Sequence, residues 1–430
     1  MDPHSLRMRS RRTRLITALA VAAATIIATP SVAMADVYRD AEWWIAEYGI
    51  SKAWNTTRGE GITIAVLDTG IDGTHPDLRG AVVGGADMSG EGSPDGQEPL
   101  GLEGEHGTMV ASLVAGRPTG STGVIGVAPA AKILSVSMSF ELVDTVPSDQ
   151  QIARGIRWSV DHGADIIVMS FTRNTLGWPK TWDDAFQYAA DNDVLIVAAT
   201  GNRASGTTEV GAPGTIPGVL VVAGATRDGN ISTYSSAQGA TVAVAAASEG
   251  LVGSVPGGAR RFWTGTSGAA PIVAGIAALV MSAHPELDVP NVIHRIISTA
   301  HPVGENPPTV QAGYGIVNAH AAVNDTVASV VANPLGDLGE WIVQHRETPW
   351  DTRDLLLPAV VDQSPAPTNP GDAQTQARAA VDESWRTFWL PITLWSSLAA
   401  ILGAIATFIT VRIRAIRRAT DTKDPHNTLN

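Results

Sequence analysis

Residues 62–70 read Ile-Thr-Ile-Ala-Val-Leu-Asp-Thr-Gly, a β-branched run that ends in an acid and a glycine turn. Nearly continuous apolar runs of this length are what strands look like when both sheet faces are covered. The pattern recurs at Ile133–Val136, Ile166–Met169, Val194–Ala199 and Val219–Ala223. Between the runs lie helical patterns. Ile152, Ile156 and Val160 repeat every four residues, and Trp182–Ala190 forms a second amphipathic stretch. Alternating strands and helices predict an α/β domain, a parallel sheet flanked by helices on both faces, with functional residues at the carboxyl ends of the strands. That rule singles out Asp68, Ser170 and the Thr200–Asn202 turn. About residues 36–330 have the length of one large domain.

The 430 residues are 44% hydrophobic and 17% charged, which excludes a disordered polymer. Cysteine is absent, so disulfides, zinc–thiolate sites and a cysteine nucleophile are excluded too. Residues 1–35 carry +4 and residues 411–430 carry +3, so a formal net charge of −13 leaves −20 on the body between them. An acidic body between basic ends argues against a nucleic-acid partner.

Both ends read as addresses. Arg7, Arg9, Arg11, Arg12 and Arg14 precede an apolar run from Leu15 to about Ala28, followed by Pro30 and the small-x-small sequence Ala33-Met34-Ala35. Residues 1–35 therefore read as a signal peptide cleaved after Ala35. Phe388–Val411 is a 24-residue stretch without a charge, long enough to cross a bilayer, with Trp385, Trp389 and Trp395 at one end and Arg412, Arg414, Arg417 and Arg418 after it. Residues 386–411 are thus expected to form a single transmembrane helix, with 412–430 as a basic cytoplasmic tail and the body outside the cell membrane. Residues 331–385, rich in Pro, Gln, Ala and Asp toward the anchor, are expected to be an extracytoplasmic linker.

Four residues in the body suggest chemistry, each with a plainer reading beside it. Asp68 could orient a histidine, although a strand-end Asp often only caps a turn. His106 opens Glu-His-Gly-Thr-Met-Val-Ala-Ser-Leu-Val-Ala-Gly (105–116), a helix of small and apolar residues. Ser267 lies in Gly-Thr-Ser-Gly-Ala-Ala-Pro (265–271) ahead of the apolar helix Ile272–Met281. There its Oγ would sit near free N–H groups at a positive helix end, or it would simply be an N-cap. Asn202 follows a strand in Ala-Ala-Thr-Gly-Asn (198–202) and could donate to an oxyanion.

Asp68, His106, Asn202 and Ser267, each inside its own motif, together resemble the subtilisin-like serine proteases. The order Asp…His…Ser is that family's order, and the separations of 38 and 161 residues are similar to its own. The resemblance covers about residues 41–325 and ends with Gly-Tyr-Gly-Ile-Val-Asn-Ala (313–319). It implies a subtilisin-like fold, Ser267 as nucleophile, His106 as base, Asp68 as its orienter and Asn202 in the oxyanion hole. It further implies a polypeptide substrate bound by Ser170, Phe171, Thr172, Ala199, Thr200 and Gly201. No cofactor or catalytic metal is required. The family often carries structural calcium, but no self-contained calcium loop is legible here.

The sequence departs from the family's pattern in two places. Met-Ser-Phe-Thr-Arg (169–173) stands where a glycine-containing substrate segment is usual, which suggests a crowded groove and narrow specificity. Gly268 stands where a larger residue is common. Only 33 residues separate the expected cleavage site from Asp68, so no folded prodomain is expected. Signal peptide, protease domain, Pro-rich spacer, single span and basic tail together resemble the mycosins, membrane-anchored proteases of type VII secretion systems. The alternatives are an anchored protease processing another exported protein, a mainly structural subunit of a secretion complex, and, last, a broad nutritional protease.

Overall fold

The computed structural model describes residues 37–118, 122–140 and 145–347. The expected signal peptide, the transmembrane helix, the tail and most of the linker lie outside these residues. The order of elements is α1 (Val37–Ala41), α2 (Trp43–Glu47), α3 (Ile50–Ala53), β1 (Thr63–Asp68), β2 (Val82–Asp87), α4 (His106–Ala115), β3 (Lys132–Ser137), α5 (Ser148–Asp161), β4 (Ile166–Met169), α6 (Lys180–Asp191) and β5 (Leu195–Ala199). Then follow β6 (Leu220–Ala225), β7 (Val242–Ala247), the hairpin strands β8 (Leu251–Val255) and β9 (Ala259–Trp263), α7 (Thr266–Ala283), α8 (Val289–Ser298), α9 (Ala319–Asn324) and α10 (Leu338–Ile342).

Seven strands form one parallel sheet in the order β2-β3-β1-β4-β5-β6-β7. The period-two alternation of each strand divides its residues between two cores. In β1, Ile64 and Val66 join the core built with α4, α7 and α8, whereas Ala65 and Leu67 join Ile152 and Ile156 of α5 and Trp182 and Phe186 of α6. Burial on both faces explains why these strands read as unbroken apolar runs. β1 lies between β3 and β4, so the chain's direction of winding reverses there. The carboxyl end of β1 therefore opens into a crevice where a parallel sheet places a ligand.

The structure differs from the sequence expectation in two strands and at the C-terminal boundary, and it adds the β8–β9 hairpin. β2, Val-Val-Gly-Gly-Ala-Asp, is a partly exposed edge strand whose two glycines conceal it. β7, Val-Ala-Val-Ala-Ala-Ala, is alanine-rich, a composition that favours helix until both sheet faces bury it. The folded unit also continues past the boundary expected at 330. Leu338 is buried, the Trp341 ring lies 4.5 Å from that of Trp178, and Arg346 pairs with the buried Asp183 at 2.8 Å. Residues 338–347 thus pack on α6 and the loop before it.

Among the described residues, α7 is the only helix long and apolar enough to cross a membrane, and it is a core helix. Ile272, Val273, Ile276 and Leu279 are fully buried among the strands and α4.

Candidate functional site

Asp68 is the last residue of β1, with its carboxylate buried at the crevice. It accepts the Thr69 N–H at 2.8 Å. The His106 Nδ1 lies 2.8 Å from Oδ1 and 3.0 Å from Oδ2. A carboxylate only accepts, so Nδ1 carries the proton and Nε2 is left as the basic nitrogen. His106 reaches this place because α4 starts directly on the β1 turn. Gly107 makes that approach feasible, since a Cβ there would stand 2.3 Å from the Gly70 carbonyl oxygen. Thr69 locks the contact by accepting the Gly107 N–H on its hydroxyl at 3.0 Å.

Burial opposes the charged form of His106. The adjacent Asp68 carboxylate outweighs it through charge and hydrogen bond, helped by Glu103 and Glu105, and the pKa is raised above 6.5. The opposite flank of the ring meets Trp263 of β9 edge-on, centroids 5.8 Å apart at 83°.

Ser267 is the second residue of α7. Its hydroxyl donates to the Ser170 carbonyl at 3.0 Å and makes no hydrogen bond to His106. In return, the Ser170 hydroxyl donates to the Ser267 carbonyl at 2.9 Å. The second bond has a cause in the sequence. Pro271 has no N–H, so the carbonyl four residues before it loses its helical donor and Ser170 supplies one.

Asn202 is oriented from the same helix end. Its Oδ1 accepts the Thr266 N–H at 2.8 Å and the Thr266 hydroxyl at 3.2 Å. Because a backbone N–H can only donate, the amide oxygen faces Thr266, and Nδ2, with no partner among the described residues, is left to donate. Thr266 also accepts the Gly201 N–H at 3.1 Å, so one buried hydroxyl couples the β5 turn to the start of α7.

A cavity of about 540 Å³ gathers these residues. Asp68, His106, Ser170, Phe171, Thr172, Ala199, Gly201, Asn202 and Ser267 all line it. Thr200, expected with them, does not. Its side chain is fully buried and its N–H donates to Val222, because alternation along the strand turns it away from the cleft. The lining also includes Leu100, Leu102 and Glu103 from the loop before α4, and Phe140, whose ring lies 5.2 Å from that of Phe171. Sequence reasoning missed this loop, Phe140 and Thr266; a Thr directly before the candidate serine was the available signal. Gly268 also acquires a reason. A Cβ there would come within 2.2 Å of Leu251 and 3.2 Å of Trp263, side chains of the β8–β9 hairpin that fill the space a larger residue would take. Among the described residues, no group of three His, Asp or Glu side chains could hold a metal ion.

A model of the subtilase family (Peptidase_S8) matches residues 59–316. The chain belongs to the subtilase family. Its fold is accordingly the subtilisin-like α/β fold, and the family's members are serine endopeptidases. This subtilase is 33% identical over 310 residues to fervidolysin of Fervidobacterium pennivorans, a match covering 65% of this chain and 43% of the other. It is 35% identical over 272 residues to subtilisin E of Bacillus subtilis, covering 61% and 66%. The subtilase thus spans less than half of fervidolysin's length and about two-thirds of subtilisin E's. Among solved structures it is similar to the MycP3 protease from the type VII (ESX-3) secretion system, with TM-score 0.58, 28% identity, and 69% and 90% of the two chains covered. It is also similar to MycP1 with the N-terminal propeptide removed, with TM-score 0.56, 25% identity, and 69% and 99% covered.

Proposed function

We propose that this subtilase is a membrane-anchored extracytoplasmic serine endopeptidase with Ser267 as nucleophile, His106 as general base, Asp68 as its orienter and Asn202 as oxyanion donor. The observation that carries the reading is the Asp68–His106 hydrogen bond facing Ser267 and Asn202 across one cleft. Rotation about one side-chain bond releases Ser267 Oγ from the Ser170 carbonyl and turns it toward His106. As Oγ attacks the scissile carbonyl, its proton passes to Nε2, and Asp68 stabilises the imidazolium. The tetrahedral oxyanion accepts from Asn202 Nδ2 and from the Ser267 N–H, which lies in the first turn of α7 and has no intrahelical acceptor. Collapse breaks the C–N bond, Nε2 returns the proton to the leaving amine, and water hydrolyses the acyl-enzyme by the same steps. Each role belongs to a side chain or backbone group, so the reaction calls for no cofactor.

The setting proposed for this activity is a type VII secretion complex, supported by the likeness to MycP3 and MycP1 and by the signal and span legible in the sequence. Phe171 and Phe140 against Leu100 and Leu102 give the cleft apolar walls, in keeping with narrow specificity. The test is fluorophosphonate labelling of the full chain in detergent, with peptide mapping. An adduct on Ser267 that is lost in Ser267→Ala supports the hydrolase; no adduct on folded protein refutes it. In the producing cell, secretion restored to a deletion strain by Ser267→Ala would identify a structural role in the secretion complex.

A further inference from the structure

Two carboxylates, Glu103 and Glu105, precede His106, and they differ in one respect. Glu105 is paired with Arg261 of β9, its Oε1 meeting the Arg261 Nη1 directly. Glu103 has no ion pair among the described residues. The arm that delivers Arg261 is firmly held. At its turn, the Gly257 N–H donates to the Asp72 carboxylate at 2.9 Å. Along its length, Arg260 at 2.7 Å and Ser254 at 2.8 Å donate to the fully buried Asp77. Gly253, directly opposite Arg261 in the ladder, has no side chain, and a Cβ there would lie 2.8 Å from that of Met109. The hairpin therefore lies flat on α4. Arg261 and Trp263, two residues apart, point to the same side of β9, one meeting Glu105 and the other the His106 ring.

We infer that Arg261 is a positioning residue that sets the basicity of His106 by neutralising Glu105, and that the β8–β9 hairpin exists in this form to hold it there. The inference rests on the reading of His106 as the general base. Among the described residues, the charged groups that bear on His106 are Asp68 from β1, Glu103 and Glu105 from its own segment, and Arg261 acting through Glu105. The start of α7 and residues 170–172 bring only hydroxyls and the Phe171 ring. An unneutralised Glu105 would hold the imidazole protonated to higher pH and leave less base at a given pH. The pair is partly exposed, so its effect is moderate and sensitive to salt.

The test is the pH dependence of fluorophosphonate labelling of the full chain in Arg261→Gln, Glu105→Gln and the double variant. In parallel, the His106 ring is titrated by NMR in a Ser267→Ala background with histidine-selective isotope labelling. Arg261→Gln is expected to move the acid limb to higher pH, slowing labelling at its foot about two- to threefold. Glu105→Gln is expected to move it to lower pH and speed labelling by a similar factor, with the double variant in between. Limbs that move in the same direction, limbs that stay put while the plateau falls, or a split that persists in 1 M salt would each overturn the inference and reduce the pair to a structural clip. Absence of labelling in every protein, wild type included, counts against the protease reading; the NMR titration still tests the coupling by itself.

Discussion

The two sides of the cleft are prepared to different degrees. On the β1–α4 side, Asp68 and His106 are hydrogen-bonded at 2.8 Å, backed by Thr69 and flanked by Trp263. On the α7 side, Asn202 is locked by Thr266, but Ser267 rests on the Ser170 carbonyl. His106, the proposed base, is held in place by the buried Asp68 carboxylate, which accepts from Nδ1. Ser267, the proposed nucleophile, donates to the Ser170 carbonyl and must turn from it to meet His106. Orientation is fixed on one side and switchable on the other.

Substitutions on each side sharpen this comparison. The largest effect is expected from Ser267→Ala, a loss of about 10⁶ in kcat toward a peptide substrate, because no other group on the α7 side replaces the nucleophile. Activity within tenfold of wild type would refute its role. Next comes Asn202→Ala. Removing one oxyanion donor should lower kcat by about 10²–10³ with little change in KM, since the amide engages only when charge develops on the substrate oxygen. A rise in KM at unchanged kcat would assign Asn202 to ground-state binding instead.

Gly268→Ala acts on stability. The new Cβ would press on the buried Leu251 and the half-buried Trp263, and overpacking of this kind costs about 1–3 kcal/mol. Urea denaturation should show a lower midpoint at unchanged slope, and Leu251→Val in the same chain should recover part of the loss. An unchanged midpoint would mean that the hairpin gives way easily, and its firm seating on α4 would be wrong.

How much of this the sequence disclosed follows from which residues have to be of one type. Asp68, His106 and Ser267 were legible because each sits at the end or start of an element, inside a run of small residues that the close approaches require, as Gly107 against Gly70 illustrates. Strands buried on both faces were legible from unbroken apolar runs, whereas the partly exposed edge strand β2 was concealed by its two glycines and β7 by its alanines, whose helical propensity burial overrides. Thr200 lies away from the cavity because alternation continues one residue past the end of β5. Phe140, Leu100 and Leu102 carry no local signal; only the fold brings those loops to one cavity. The role of Gly268 was invisible because the β8–β9 hairpin that brings Leu251 and Trp263 against it carries no local signal.

The smallest expected effect falls on the preorganised side. Glu103 lines the cleft and is exposed, and its negative charge helps hold the His106 pKa above 6.5. In the proposed mechanism the base is neutral imidazole, so a raised pKa places the acid limb of activity at higher pH, and removing a neighbouring negative charge lowers it. Glu103→Gln should therefore move the limb in kcat/KM to lower pH and leave the high-pH plateau unchanged, because the Asp68 hydrogen bond still orients the ring. Water screens an exposed carboxylate, so the change at the foot of the limb should be no more than a few-fold and should fade as salt is added. Asp68→Asn should instead collapse the plateau by about 10⁴, since the amide no longer fixes the tautomer. If Glu103→Gln lowered the plateau as well, Glu103 would be touching substrate, and the β1–α4 side of the cleft would contribute binding as well as base.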